Sequence, residues 1–158
     1  MNHRYYAIVA AVRLVDAGPQ VLLAERAEGR YLAGTWHFMG GAIEAGETAW
    51  AAAVRELREE SGLRPDALYR LSTVTAFYRP DVDALCSAIP FCAVVAPGAD
   101  VILSDEHSAF GWYDFADAAG RLMWKADRQA LEEIKADLVD DEAKRERLRV
   151  APFVPHRA

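Results

Sequence analysis

The chain of 158 residues carries a net charge of −6, with 53% hydrophobic and 27% charged residues. That composition suits a soluble globular protein with a sizeable core. The negative balance disfavours nonspecific binding to long nucleic acids, though it does not exclude a nucleotide ligand, because bound metal and local arginines can reverse the sign at a site. Neither a secretory leader pattern nor an apolar run long enough to span a bilayer is present, so the expectation is a cytoplasmic protein with no membrane partner, folded as one domain over residues 1–158. The two cysteines, Cys86 and Cys92, fall in an apolar segment expected to be extended. On one strand they would stand roughly 20 Å apart, beyond disulfide reach. Without further thiolates they make a poor zinc site, and both are read as reduced.

Residues Tyr5 to Val15 (YYAIVAAVRLV) predict a first strand, central in its sheet. Asp16-Ala17-Gly18-Pro19 predicts a turn, and Val21 to Glu25 the returning strand of a hairpin. Arg26 to Thr35 reads as a loop whose start can be extended. Trp36-His37-Phe38-Met39 predicts a short strand feeding Gly40-Gly41, with Trp36 in the core and His37 structural. The double glycine is expected to supply backbone conformations closed to other residues, and Gly46 a second tight turn.

From Thr48 to Ser61 proline and glycine are absent while Ala, Leu, Glu and Arg dominate, which predicts a helix. Thr48 is its expected N-cap, with Glu47 beside the positive end of the dipole, and Gly62 its stop. Trp50, Val54, Leu57 and Ser61 share one side, and Glu56, Glu59 and Glu60 share another. Carboxylates massed on one turn repel one another unless a cation lies between them. A hard divalent ion such as Mg²⁺, which takes oxygen ligands, is the natural filler. Arg55 is placed to tie Glu47 to the helix.

These residues carry a resemblance. Gly41, five residues, Glu47, seven residues, then Arg55-Glu56-Leu57-Arg58-Glu59-Glu60-Ser61-Gly62-Leu63 is similar to a complete Nudix box, with every required position filled. Its fixed identities would coincide by chance about once in 10⁸–10⁹ starting points, and a merely solvated acidic face explains neither the glycines nor the spacing. Many members carry proline before the two glycines, where this chain has Met39.

Beyond the helix, Pro65 bars its continuation, and Tyr69 to Tyr78 (YRLSTVTAFY) predicts a strand. Arg79 to Asp83 predicts a turn and Ala88 to Val95 a buried strand, where Pro90 signals an edge position or a bulge. Phe110 to Tyr113 predicts a short strand leading into a short helix, and Trp124 to Ala136 an amphipathic helix offering Ala130, Leu131 and Ile134 to the sheet. Arg128 is read as a surface helix residue. Residues 140–158 predict a charged helix end and a tail that is either disordered or docked on a partner subunit.

The Nudix resemblance implies an α/β fold, an α/β/α sandwich with a central mixed β-sheet. It also implies a hydrolase of phosphorus anhydrides using Mg²⁺ or Mn²⁺, held by Glu56, Glu59, Glu60 and a downstream acid for which Glu106 is the candidate and Asp105 the fallback. Divalent ions would neutralise phosphate charge and lower the pKa of water. Glu59 or Glu60 is favoured as ligand, and the general base is open among Glu56, Glu60 and Glu106. Arg55 belongs to the same machinery, while Arg26, Arg30, Gly40 and Gly41 are candidates for substrate binding. The expected substrate is a small nucleoside triphosphate-like molecule cleaved to monophosphate and pyrophosphate. A looser likeness, carried by Glu106-His107, Trp112, Trp124 and Arg128 to Leu131, points to pyrophosphohydrolases of dATP and dihydroneopterin triphosphate. Alternatives are coenzyme A, ADP-ribose or a dinucleoside polyphosphate as substrate, or a non-catalytic nucleotide-binding domain. The sequence is silent on oligomeric state; family members are often dimers, so the resemblance leaves a homodimer open.

Overall fold

An unbroken run of apolar residues at the N-terminus builds the longest strand, and the rest of the sheet assembles on it. The computed structural model describes residues 1–155. Strand β1 (Asn2–Val15) pairs in parallel with β7 (Ala84–Val94) along one edge. Its other edge is shared: β4 (Met39–Ala42) takes the first half, with Tyr6 opposite Ala42, and β2 (Gly18–Arg26) takes the second, with Val12 opposite Val21. Beyond β2 lie β3 (Trp36–His37) and β8 (His107–Asp114), and β5 (Ala67–Arg70) and β6 (Thr75–Arg79) both pair with β7. The only parallel pairing among the named strands is β1 with β7, so the sheet is mixed, as expected.

Alternation along β1 sends Ala7, Val9 and Ala11 to one face and Ala10 and Val12 to the other, and each face has its own core. The first is covered by α1 (Ala49–Ser61) through Ala52, Ala53 and Leu57, which are fully buried. Sinking Leu57 alone contributes about 2 kcal/mol. The second is covered by α2 (Phe115–Arg121), by α3 (Lys125–Glu133) and by the π-helical turn Ile134–Val139 that continues it, through Ala118, Leu131, Ile134 and Leu138. The result is the α/β/α sandwich. Helix α4 (Glu142–Leu148) has no fully buried residue, in keeping with its mixed charges, though Leu148 packs partly buried against the second core. Among the described residues no helix is long and apolar enough to cross a membrane.

Several expectations are corrected. Trp36–Met39 is not one strand: Trp36 and His37 pair with β2, whereas Met39 onward pairs with β1, and the chain changes partner at Phe38. Tyr69–Tyr78 is also two strands. Arg70 stands opposite Phe91 but Thr75 opposite Ala88, so the partner chain leaves the ladder across from Pro90. Leu71 N–H still reaches the Pro90 carbonyl at 3.1 Å, but proline has no N–H to return. Pro90 therefore interrupts a neighbour instead of marking an edge. The N-terminal turn shrinks to Asp16-Ala17 with Val15 opposite Gly18, and β7 and β8 begin several residues earlier than expected.

The tail expected over 150–158 is described to Pro155; residues 156–158 lie outside the described residues. Val150 N–H donates to Leu68 O at 2.8 Å, and Phe153 packs on the α1-side core beside Trp50 and Val54. The described part of the tail thus docks on its own chain.

Gly40 and Gly41 lie inside β4, and neither adopts a positive φ. The expected conformational freedom is not their function; absence of a side chain is. A Cβ on Gly40 would sit 2.5 Å from Ala7 O and 2.8 Å from Ile8 Cδ1. Gly40→Ala is predicted to force β4 away from β1 at a cost of about 1–3 kcal/mol. Urea melts check this; an unchanged midpoint would show that the two strands are not so closely apposed.

Candidate active site

Helix α1 is held at both ends. Thr48 accepts a hydrogen bond from Ala51 N–H, and Gly62 terminates the helix in the left-handed region at φ 72°. Before it, Gly46 turns the chain at φ 80°, delivering Glu47 back over the helix. Arg55 then makes the connection predicted for it and more. Its Nε donates to Glu47 Oε1 at 2.9 Å and its Nη2 to Glu47 Oε2 and Ala42 O, each at 3.0 Å. Its Nη1 reaches Glu56 Oε1 at 2.5 Å and Glu59 Oε2 at 3.3 Å. The hydrogen bonds from Arg55 hold the Glu47 carboxyl below its ordinary range.

The three helix carboxylates separate once folded. Glu60 turns inward, only 5% exposed, and accepts from Gly40 N–H at 3.0 Å. Burial first, and then the neighbouring Glu106 and Glu56, push its pKa up to about 9. Glu56 is half-buried against Gly41, where any Cβ would fall inside its carboxyl group, and burial raises its pKa despite Arg55. Glu59 points outward, its side chain 59% exposed. Shared helical spacing therefore does not put the three into one environment.

Glu106 arrives from a loop docked on the end of α1. Ile102 N–H donates to Ser61 O at 2.9 Å and Ser104 N–H to Glu60 O at 3.2 Å. Glu106 consequently joins Glu56 and Glu60, each of which is affected by its charge. Asp105 is 90% exposed and belongs to the rim. Arg30 reaches over from the loop after β2, with Nη1 3.5 Å from Glu106 and Nη2 3.4 Å from Asp105.

Among the described residues no group of His, Cys, Asp and Glu is gathered tightly enough to encircle an ion as it stands; Arg55 draws Glu56 and Glu59 toward itself and Arg30 approaches Glu106. The donor set nevertheless fits a hard divalent cation. It is all oxygen, the glycine at 41 leaves Glu56 a cradle, and Glu60 is a buried carboxyl with Glu56 and Glu106 close enough to add to the effect of its burial. The residues able to hold such an ion are Glu56, Glu60 and Glu106, with Glu59 at the outer side.

A second polar group was not legible beforehand. Arg26, placed by the sequence at the extended start of a loop, is the last residue of β2, and among the described residues its Nε is buried without a partner, as is Nδ1 of His107. Asp127, near the start of α3, is influenced by the charge of Arg26, and burial raises its pKa to about 6. Arg26 and Asp127 are far apart in the chain and obey no local spacing, so only the fold brings them together. Arg128, expected as a surface residue, instead donates to Leu122 O and Met123 O at 2.9 and 3.0 Å, closing the end of α2. Trp36 meets Tyr113 edge-on, as a core residue does.

The family model of the NUDIX domain matches residues 4–134. The chain is 38% identical over 136 residues to an octanoyltransferase of Myxococcus xanthus, a match covering 81% of this chain and 36% of that protein. It is 40% identical over 67 residues to an oxidized purine nucleoside triphosphate hydrolase of Danio rerio, covering 42% of each. The chain thus spans well under half the length of these curated relatives. In structure it is similar to an Ap4A hydrolase of C. elegans, with TM-score 0.76 and 22% identity over 87% of this chain and 99% of that one. It is also similar to the dihydroneopterin triphosphate pyrophosphohydrolase of E. coli, with TM-score 0.69 and 24% identity over 86% and 100%. At such identities the structural likeness speaks for the fold.

His37, 6% exposed and bonded to Thr35 Oγ1 at 2.5 Å, has its pKa lowered to about 4 by burial and then by Arg26 and His107. Between about pH 6.5 and 4 the unfolded chain binds a proton there that the folded chain refuses, so stability falls as pH drops through that window. The predicted loss approaches roughly 3 kcal/mol at its lower end. His37→Gln should show a shallower decline of unfolding free energy from pH 7 to 5; an identical slope would place the acid sensitivity elsewhere.

Proposed function

The chain belongs to the Nudix family, and from that footing we propose that it is a Mg²⁺-dependent pyrophosphohydrolase. Its inferred substrate is a nucleoside triphosphate-like molecule, cleaved to a monophosphate and pyrophosphate. The observation that carries this reading is the buried Glu60 carboxyl, fixed by Gly40 N–H and crowded by Glu56 and Glu106. Such crowding is unfavourable in the free protein and becomes favourable when a cation enters. Support for the substrate class comes from the relative named for oxidised purine nucleoside triphosphates, which shares 40% of residues over the matched stretch.

The chain's own residues divide the work. Glu56, Glu59, Glu60 and Glu106 supply oxygen ligands, and the ion they hold would neutralise phosphate charge and acidify water. Arg55 fixes the loop to the helix, so that Glu56 and Glu47 keep one geometry. One carboxylate among Glu56, Glu60 and Glu106 accepts the proton of the attacking water. These groups are coupled, and the proton belongs to the set more than to one member. Gly40 and Gly41 let the strand and Glu56 approach. Arg26 Nε and His107 Nδ1, buried without partners among the described residues, are offered to the organic end of the substrate beside Asp127, and Arg30 offers charge to its phosphates. A cytoplasmic setting is part of this reading, and two buried free thiols, Cys86 and Cys92, suit it.

The direct assay presents nucleoside triphosphates (oxidised purines included), dihydroneopterin triphosphate, Ap4A, ADP-ribose and coenzyme A with Mg²⁺, and identifies the products. Monophosphate and pyrophosphate from a triphosphate are expected. Turnover of only the diphosphate-linked compounds would move the substrate class, and no turnover of any, with metal bound, would make this a nucleotide-binding domain. Because Glu59 is exposed, Glu59→Gln should lower kcat by about 10²-fold or more while leaving Tm nearly unchanged. Unaltered turnover would remove Glu59 from the ligands.

A further inference from the structure

The two arginines that meet the carboxylates are held very differently. Arg55 spends its whole guanidinium on Glu47, Ala42 O, Glu56 and Glu59. Arg79, the cation beside Tyr31, is likewise committed, with Nε 3.1 Å from Asp81 Oδ1 and Nη1 3.1 Å from Tyr6 Oη. Arg30 has only two long contacts, 3.4 Å to Asp105 and 3.5 Å to Glu106, and its side chain is 43% exposed. Contacts at that length are at the edge of hydrogen bonding, and exposed ion pairs of this kind bind weakly.

The backbone beneath Arg30 is fixed all the same. Arg26 N–H donates to Thr35 O at 3.0 Å, Gly34 N–H to Arg26 O at 2.9 Å, and Ala27 N–H to the backbone oxygen of Glu106 itself at 2.9 Å. The loop from 27 to 35 is thereby stapled to the strand that starts after Glu106, while the long side chain of Arg30 remains free to swing. A guanidinium does not shed its charge. When another cation takes Glu106, Arg30 must find a different anion close by.

We propose that Arg30 is an exchangeable counter-ion, which neutralises Glu106 in the free protein, gives that carboxylate up to the divalent cation, and then pairs with the polyphosphate of the substrate. This rests on the reading that the carboxylates hold a divalent cation. It goes beyond it in tying metal loading to phosphate capture through one side chain. A static salt bridge that only pins the loop predicts neither effect.

The test compares the parent protein with Arg30→Ala and Arg30→Gln, the second removing the charge while keeping a polar side chain that can hydrogen-bond should the first fail to fold. Mn²⁺ binding to nucleotide-free protein, followed by electron paramagnetic resonance, should tighten by about twofold to fivefold when the competing charge is removed. KM for the best triphosphate should rise about tenfold or more, with kcat changing much less, because a charge-assisted contact to phosphate is lost. Unchanged or weaker Mn²⁺ binding overturns the exchange, and an unchanged KM overturns the phosphate contact. If the parent itself neither binds Mn²⁺ nor hydrolyses any substrate, the reading of the site fails; if it does both and neither variant differs from it, only the exchange fails.

Discussion

Repulsion between carboxylates crowded at one end of a helix is the constraint to which the rest of this structure responds. Glu56, Glu60 and Glu106 come from two elements and meet at the end of the helix, where Glu60 is buried and Glu106 stays partly exposed. Like charges there cannot all ionise freely. The fold answers with a backbone N–H from Gly40, a guanidinium from Arg55, a weaker one from Arg30, and a raised pKa at Glu60. Each device fixes part of the architecture. The N–H requires β4 to run close under α1, which requires glycine at 41, while glycine at 40 lets β4 lie against β1. The guanidinium requires the loop with Gly46 and Glu47 to fold back. The third carboxylate requires residues 102–106 to dock on the helix end.

Much of this was legible because it is local. The spacing from Gly41 to Leu63 encodes a loop, a cap, a helix and a stop, and each appears where expected. The link from Arg55 to Glu47 follows from a loop short enough to return. What spacing could not show is what lies opposite. Helical periodicity placed Glu60 beside Glu59, but only the packing of β4 against α1 shows that one is buried and the other exposed. The glycines were recognised by type, and their reason was misjudged, since backbone freedom and closeness of approach look alike in a sequence. The split of β5 from β6 is decided by Pro90 on the facing strand, and only the fold brings Arg26 near enough for its charge to act on Asp127.

The two sides of the site differ in how completely they are tied. On the helix side Arg55 and Glu47 form a closed arrangement with every strong donor used. On the other side, among the described residues, Arg26 Nε and His107 Nδ1 are buried without partners, which is costly unless a ligand completes them.

The central claim is that these carboxylates are held together for a divalent cation. Anomalous diffraction from crystals soaked in Mn²⁺ tests it most directly. Manganese within coordination distance of Glu60 and of at least one of Glu56, Glu59 and Glu106 is the predicted result. Manganese bound only elsewhere, with Glu60 still enclosed and out of its reach, would contradict the account.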